Sequence, residues 1–490
     1  MPDSTTQLAG RREWLGLAVL ALPTMLIGLD MTVLHLAAPQ LSRSMNPSTT
    51  QLLWIVDIYG FMVAGFLMTM GTLGDRIGRR KLLFIGAGCF AAASLLAAYS
   101  SSVPMLMTAR ALLGVAGATL MPSTISLLSN MFTDPGQRRV AIAVWMANFM
   151  AGGMIGPLVG GFLLERFWWG SIFLIGVAIP VLLLLVGPLV LPEYRSPSVG
   201  RIDLLTAGLI TFSIMAMVYG IKEAARSGLS LTSAAAVAIG VAGGYLFVLR
   251  QLRRPNPMID LRLLFARKAF GVSLGSLTLG LFVNTGIQFL VLQYLQVVVG
   301  LTPLQAGVWV LPAMVAGIAG SLLAPVPTRW MAPSRVMGLG FLVGVIGLAV
   351  TALAHDSHSG ALSVTGFAIT SLGIQASLAL ANDGIIASVP PERAGTASGM
   401  GETGAELGNA LGVAIGGSIA TAVYQLGLPP SQAEHEQAIR DSFAGASAEG
   451  VPADVLEMAH QAFTTGVQVT AVVLAAVSAM LMVFNWRVKH

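Results

Sequence analysis

The sequence predicts an all-α membrane protein: fourteen transmembrane helices forming two six-helix bundles, with two further helices inserted between them. Three observations lead there. Only 10% of the 490 residues are charged and 55% are hydrophobic, with a mean hydropathy of +0.79, whereas a soluble chain carries about 25% charged residues. The apolar residues fall in long unbroken runs near the roughly 20 residues a helical span needs, not in the short alternating segments of a barrel. A glycine pattern in one run also recurs far downstream, which divides the chain into two related halves.

The spans are predicted at 14–36, 52–72, 82–99, 105–128, 140–163, 171–190, 204–222, 232–250, 269–294, 305–326, 336–354, 361–387, 395–424 and 464–486. They group as an N-terminal bundle (1–191), two inserted helices with a linker (192–268) and a C-terminal bundle (269–490). Orientation follows from the excess of Lys and Arg in cytoplasmic loops. With the N-terminus inside, the inside segments carry 21 Lys and Arg. The outside segments carry 5: Arg43, Arg166, Lys222, Arg226 and Arg440. Arg110 lies within a span. Both termini are therefore predicted cytoplasmic. The pI near 9.6 then reports topology, and no nucleic-acid partner is implied.

Other totals narrow the field. The single cysteine, Cys89, sits in an apolar run, which leaves no disulfide framework and no thiol metal site. The run after Arg11 and Arg12 is too long for a cleaved signal peptide and reads as a span. The long outer segment 427–463 holds Glu434, Glu436, Asp441, Glu449, Asp454 and Glu457 against Arg440. Helices are expected over Ser431–Phe443 and Ala453–Phe463, between Pro429, Pro430 and Pro452. A solvated cap is the plainer reading of this segment. An acidic outer face also acts on cations through its field.

Charges inside the spans carry the chemistry. Asp30 lies in WLGLAVLALPTMLIGLDMTVLHLAA (Trp14–Ala38). A carboxylate at the centre of a span costs about 2.5–3.5 kcal/mol on insertion scales, and intramembrane ionisable groups are functional by default. The other membrane acids are Asp57, Asp383, Glu402 and Glu406. Glu402 and Glu406 are four apart and share one helix face. At about 1.5 Å per residue, Glu406 falls near mid-bilayer if its span begins at Gly395. Each such acid has two states, protonated and neutral or charged and attractive to a cation. A proton and a lipophilic cation competing for one carboxylate is antiport in its simplest form. Asp30 and Glu406 are the leading candidates. Asp57, nearer the outer end of its span, is read as a gating or release residue, and Asp383 as a structural partner.

Arg110 has two open readings. It faces the bundle interior and pairs with a carboxylate or carbonyl, or it snorkels to the outer interface from a position close to Pro104. Trp54, Tyr59, Trp145, Trp309, Phe282, Phe289 and Tyr294 are candidates for a cation-stacking wall, although packing alone accounts for any one of them. Asn284 and Gln288 share a face of the ninth span.

The repeat aligns Thr133–Gly161 with Val389–Gly417. Gly152, Gly156, Gly160 and Gly161 match Gly408, Gly412, Gly416 and Gly417, and Pro135 matches Pro391, each at an offset of 256. Duplicated halves around a midplane site are the architecture of secondary transporters.

Three motifs complete the reading. GTLGDRIGRRK (Gly71–Lys81) joins spans two and three. Its glycines suit a tight turn, Asp75 is placed to cap the following helix, and the basic cluster obeys the charge rule. The spacing Gly71, Asp75, Arg76, Gly78, Arg79, Arg80 resembles the signature loop of the major facilitator superfamily. Arg110, followed by Gly114 and Gly117, resembles that family's buried arginine. GGMIGPLVGG (Gly152–Gly161), bent by Pro157, makes a small-residue groove for close helix packing. With Gly156, Gly160 and Gly161 it also resembles the antiporter motif of the exporters in this superfamily.

The stretches LDMTVLHLAAP (Leu29–Pro39), LLWIVDIYGFMVAGF (Leu52–Phe66) and VPPERAGTASGMGETGAELG (Val389–Gly408) resemble the fourteen-span drug:proton antiporters, particularly the quaternary-ammonium efflux pumps. His35 stands where many members of the wider family have asparagine. It is read as a polar contact at a helix end, with tuning of proton traffic as the other reading.

The resemblance implies a monomeric multidrug exporter in the cytoplasmic (inner) membrane. It would exchange protons for lipophilic cations such as quaternary ammonium compounds and dyes, confer antibiotic resistance, and use no cofactor beyond the proton gradient. The chain has no Walker sequence for a nucleotide, and no enzymatic reaction is implied. The rival expectations are an exporter of one metabolite or lipid on the same fold, and a membrane sensor that does not transport.

Overall fold

A computed structural model of the chain describes residues 9–194, 204–228, 230–254, 268–355, 359–389, 394–428 and 453–487. Within these, each predicted span is a helix: α1 (Arg11–Met45), α2 (Thr49–Ile77), α3 (Arg79–Ala98), α4 (Val103–Met131), α5 (Pro135–Arg166), α6 (Ser171–Val190), α7 (Leu204–Ser227), α8 (Leu231–Arg253), α9 (Lys268–Val297), α10 (Pro303–Leu323), α11 (Pro333–Ala352), α12 (Gly360–Ala387), α13 (Ala394–Gly427) and α14 (Ala453–Arg487). Among the described residues, thirteen helices are long and apolar enough to cross a bilayer; α2, bent by 53° between Gln51–Leu67 and Thr69–Ile77, makes fourteen. The prolines inside α1, α4, α5, α6 and α10 are tolerated because neighbouring helices can satisfy the backbone groups they free.

Two expectations change. The short helix predicted at Ala453–Phe463 is the first part of α14, continuous with the span predicted from residue 464. No glycine or proline separates the two stretches. The turn between α2 and α3 is made by Gly78 alone, at φ 111°, a backbone that favours glycine; Gly71 and Gly74 remain inside α2. The predicted helix Ser431–Phe443, Pro391, Arg195, Arg201, Arg262, Arg267, Arg393, Arg440 and Lys489 lie outside the described residues, as do the side chains of His35, Arg139 and Arg226.

Helices α1–α6 pack among themselves, as do α9–α14, and the glycine repeat explains how. A Cβ on Gly152, Gly156 or Gly160 of α5 would strike Met25, Thr32 or Val33 of α1. At the matching positions of α13, Gly408 and Gly412 would strike the carbonyls of Thr278 and Phe282 of α9, and Gly416 faces Gly286. Small residues spaced by four thus seat α5 on α1 and α13 on α9 with the backbones close.

The last glycine of each series turns to the other half. Gly161 lies against Leu304 of α10, and Gly417 against Leu53 of α2. Gly307 of α10 lies against Pro157 of α5, and Gly60 of α2 against Ala410 of α13. The halves therefore meet at the end where α5 and α13 finish and α2 and α10 begin, which the charge rule predicts to be the outer end.

The inserted pair is not peripheral to this arrangement. α7 packs on α8 and also on α2 and α13. Ile214 and Val218 of α7 share a buried cluster with Trp54, Ile58 and Phe61 of α2 and Ala410 and Ala414 of α13.

Candidate functional site

Between the halves lies a cavity of about 240 Å³. Its apolar walls include Phe149, Leu281, Met314, Ile318, Phe367 and Val413. Its polar positions include Asp30, Asp57, Tyr59, Arg110, Asn284, Gln288, Gln375, Glu406 and Asn409, drawn from α1, α2, α4, α9, α12 and α13. An apolar chamber with a few convergent polar groups is the usual form of a small-molecule site.

Arg110 resolves inward. It is only 2% exposed, and its Nη1 donates to Asp30 Oδ2 at 2.9 Å. Its Nε donates to the carbonyl of Ile55 at 3.2 Å and its Nη2 to that of Val56 at 3.5 Å. The guanidinium also stands 4.6 Å from the centroid of the Tyr59 ring. A buried charge persists only if paired and hydrogen-bonded, and Arg110 meets that condition by tying α4 to α1 and α2. Snorkelling is excluded, because the side chain is buried and each of its three guanidinium nitrogens donates inside the bundle.

Asp57 is balanced differently. Its Oδ2 lies 2.7 Å from Lys222 Nζ, with both side chains fully buried, and the ammonium sits 4.7 Å from the Trp54 ring centroid. This corrects the assignment of Lys222 to an outer aqueous segment: the last residue of the predicted seventh span is inside the protein, because α7 continues to Ser227. Asp57, nearer the outer end of its span, thus has a buried basic partner from α7 that the sequence did not mark.

Glu406 contrasts with both. It is 3% exposed, it lines the cavity, and its Oε2 has no hydrogen-bond partner among the described residues. The Tyr59 hydroxyl, another lining group, is likewise buried without a partner. Nearby polar groups are engaged with one another: Thr285 donates to Asn409 Oδ1 at 2.7 Å and Ser371 to Asn284 Oδ1 at 3.4 Å. Among the described residues the cavity thus holds two carboxylates with basic partners and one without.

Other candidates fall elsewhere. Glu402 lies one turn before Glu406, half-buried and outside the cavity lining. Asp383 is exposed. Of the proposed aromatics, Tyr59 lines the cavity. Trp54 packs under Lys222, Trp145 donates to Thr124 at 3.2 Å, Trp309 is 39% exposed, and Phe282, Phe289 and Tyr294 are core residues. The wall aromatics Phe149 and Phe367 carry no sequence mark, since one apolar position in an apolar helix looks like another.

The signature loop lies away from the cavity. Asp75 pairs with Arg79 at 2.6 Å, four residues on and across the Gly78 turn, and no side chain of α2 caps α3. Glu193, after α6, does: it accepts the backbone N–H groups of Arg80 at 3.0 Å and Lys81 at 3.2 Å. Anionic groups are favoured at a helix N-terminus, and Glu193 also lies beside the side chain of Arg80. Arg80 donates to the Leu191 carbonyl at 2.9 Å, and Arg79 reaches the Pro122 carbonyl at 3.4 Å. Arg76 is exposed. The loop therefore ties α2, α3, α4 and the end of α6 together.

Comparison with known proteins agrees with this geometry. The profile of the Major Facilitator Superfamily matches residues 20–413. The chain is 42% identical over 476 residues to the multidrug efflux pump LfrA of Mycolicibacterium smegmatis, covering 95% of this chain and 94% of that protein. It is 36% identical over 418 residues to the methyl viologen resistance protein SmvA of Salmonella typhimurium, covering 83% and 82%. In fold it is similar to a bacterial homologue of the human lysosomal transporter Spinster in its inward-facing, unoccupied conformation. There the TM-score is 0.67 at 16% identity, with 98% of each chain covered.

Proposed function

The chain belongs to the major facilitator superfamily, a family of membrane transporters and not of enzymes, and on that premise we propose that it is a proton-coupled multidrug exporter of lipophilic cations. One observation carries the reading. Glu406 is a buried carboxyl on the wall of an apolar, aromatic-bearing cavity, and its Oε2 has no hydrogen-bond partner among the described residues. An uncompensated carboxylate is costly in such a place. A proton or a positively charged, largely apolar guest relieves that cost, and the two exclude each other. Binding the guest therefore releases the proton, which is the coupling an antiporter needs.

The rest of the site fits. Apolar walls and the faces of Tyr59, Phe149 and Phe367 suit the body of a lipophilic cation. Contacts between halves at the predicted outer end support a cavity that faces inward at rest, with alternating access about the repeat interface. The relatives LfrA and SmvA, a multidrug efflux pump and a methyl viologen resistance protein by name, point to efflux of drugs and of a quaternary dication. The proton gradient is the proposed energy source, with a monomer in the cell membrane, both termini inside and no cofactor. An exporter of a neutral metabolite or lipid would have no use for Glu406, and a sensor no use for the cavity.

The test is ethidium efflux driven by an imposed proton gradient in everted vesicles. Glu406→Gln is expected to abolish the driven component while inserting at normal levels. Gradient-driven efflux at the wild-type rate from that variant would remove the assignment.

A further inference from the structure

A second, small cavity lies within the first half and shares Asp30 with the guest cavity. Its volume is about 10 Å³, and Asp30, Leu34, Ser94, Ile172, Phe173 and Gly176 line it from α1, α3 and α6. That is room for about one water molecule. Asp30 is the one polar residue that lines both cavities. Arg110 occupies its Oδ2, and its Oδ1 receives no hydrogen bond among the described residues. Ser94 is 1% exposed, and its hydroxyl has no partner among the described residues. A buried water needs at least two polar partners, and these two groups supply them. Ser94 lies four residues before the end of α3, and Ile172 follows the first residue of α6. The small cavity therefore lies on the predicted outer side of Asp30. That first residue, Ser171, is also buried with an unpartnered hydroxyl among the described residues.

We propose that this cavity is a one-water proton port: a proton from the outer side reaches Asp30 through it without crossing the guest cavity, and so displaces a guest that is still bound. This rests on the proton–cation exchange proposed for Glu406 and adds its route. The water takes up a proton and passes one to Asp30 Oδ1, so the carboxylate becomes a neutral acid and the water is restored. Arg110 keeps its bonds to the carbonyls of Ile55 and Val56. The Tyr59 hydroxyl is buried without a partner on the wall of the guest cavity and stands within electrostatic reach of both Asp30 and Glu406. Its oxygen accepts the proton of Asp30 as its own proton passes to Glu406. Asp30 is then charged again, Glu406 is neutral, and the guest has lost its counter-charge. The charged or titratable groups facing Asp30 are Arg110 from α4 and Tyr59 from α2; α3 and α6 present none to it in the small cavity. Leu34, Ile172 and Phe173 wall the port with apolar surface, so it holds one water and is not a continuous aqueous path. At rest Asp30 stays paired, and Glu406 remains the group that trades.

The test is the rate at which bound ethidium leaves the full-length protein in nanodiscs when chased by excess tetraphenylphosphonium, followed by fluorescence. A proton that binds only after the guest has gone leaves this rate independent of acidity. A proton that arrives through the port raises it, by up to about tenfold per pH unit for one proton assisting release. Wild type should show the rise. Gly176→Ala and Ser94→Ala should each flatten it. A Cβ on Gly176 would strike the Ser94 hydroxyl and fill the cavity, whereas Ser94→Ala keeps the room and removes a partner of the water. Neither residue lines the guest cavity, so both variants should bind ethidium at neutral pH with wild-type affinity.

A wild-type release rate that does not change with acidity would overturn the proposal. So would acid-accelerated release that survives in Ser94→Ala, which introduces no clash and decides the question if Gly176→Ala does not fold. A wild-type ethidium affinity that does not weaken in acid would instead remove the exchange reading at Glu406, and the proposal with it.

Discussion

The two halves repeat one packing device and then part company in their electrostatics. In α5 and α13 the same glycine series seats a helix on the first helix of its half and presents a last glycine to the opposite half. Inside the first half the half-buried acid Asp30 is paired with Arg110 at 2.9 Å. In the second half Glu406 lies on the same cavity with its Oε2 unpartnered among the described residues. The N-terminal half therefore reads as a charge-balanced frame, and the C-terminal half as the place where a charge is left open to be answered by proton or guest. The scaffold was duplicated; the chemistry is one-sided.

The largest expected effect comes from joining the halves where they meet. With Cys89 replaced by serine, Leu53→Cys and Gly417→Cys place two thiols where a Cβ at 417 comes within 2.6 Å of the Leu53 side chain. Oxidative cross-linking should stop ethidium efflux in vesicles, and reduction should restore it. Full transport in the cross-linked protein would mean that this end does not open.

Next comes the contrast between the two acids. Asp30→Asn leaves Arg110 buried with carbonyls alone, and breaking a buried pair costs about 3–5 kcal/mol. The lower end applies, because the Asp30 side chain is 15% exposed. Thermal unfolding in detergent should therefore fall by several degrees for Asp30→Asn, while Glu406→Gln should match or exceed wild type in stability and lose driven transport. Equal destabilisation by the two substitutions would erase the distinction between halves.

The shared packing predicts equality in turn. Gly152→Leu and Gly408→Leu each force a side chain into a neighbouring backbone, and overpacking costs about 1–3 kcal/mol. The two should lower the unfolding temperature alike. A loss confined to one would show that the repeat is not mechanically equivalent. The smallest effect is expected at the α3 cap, where Glu193→Ala should cost about 1 kcal/mol and leave dye binding intact, since Glu193 lies outside the cavity lining.

Much of the cavity could be read from the sequence because charge is rare in these helices. Asp30, Asp57, Arg110 and Glu406 stand out from their apolar surroundings, and all four line one chamber. The glycine register was equally visible, since close backbone packing leaves a spaced small-residue trace. Partnerships were harder to see. Lys222 sits near the end of an apolar run, where a lysine ordinarily marks the water interface; only the inward course of α7 against α2 and α13 makes it a buried counter-ion. Glu193 caps a helix whose first turn is over a hundred residues earlier in the chain, and no local pattern carries that. The cavity aromatics were mostly missed because helix rotation decides which ring faces inward, and these helices are apolar on nearly every side.

The central claim is that Glu406 trades a proton for a cation. It is tested most directly by adding ethidium to the purified protein in weakly buffered solution and following proton release with a pH indicator. Wild type should release a proton as each dye binds, and Glu406→Gln should bind dye without releasing one. Equal proton release from both proteins would place the exchange on another group and contradict the account.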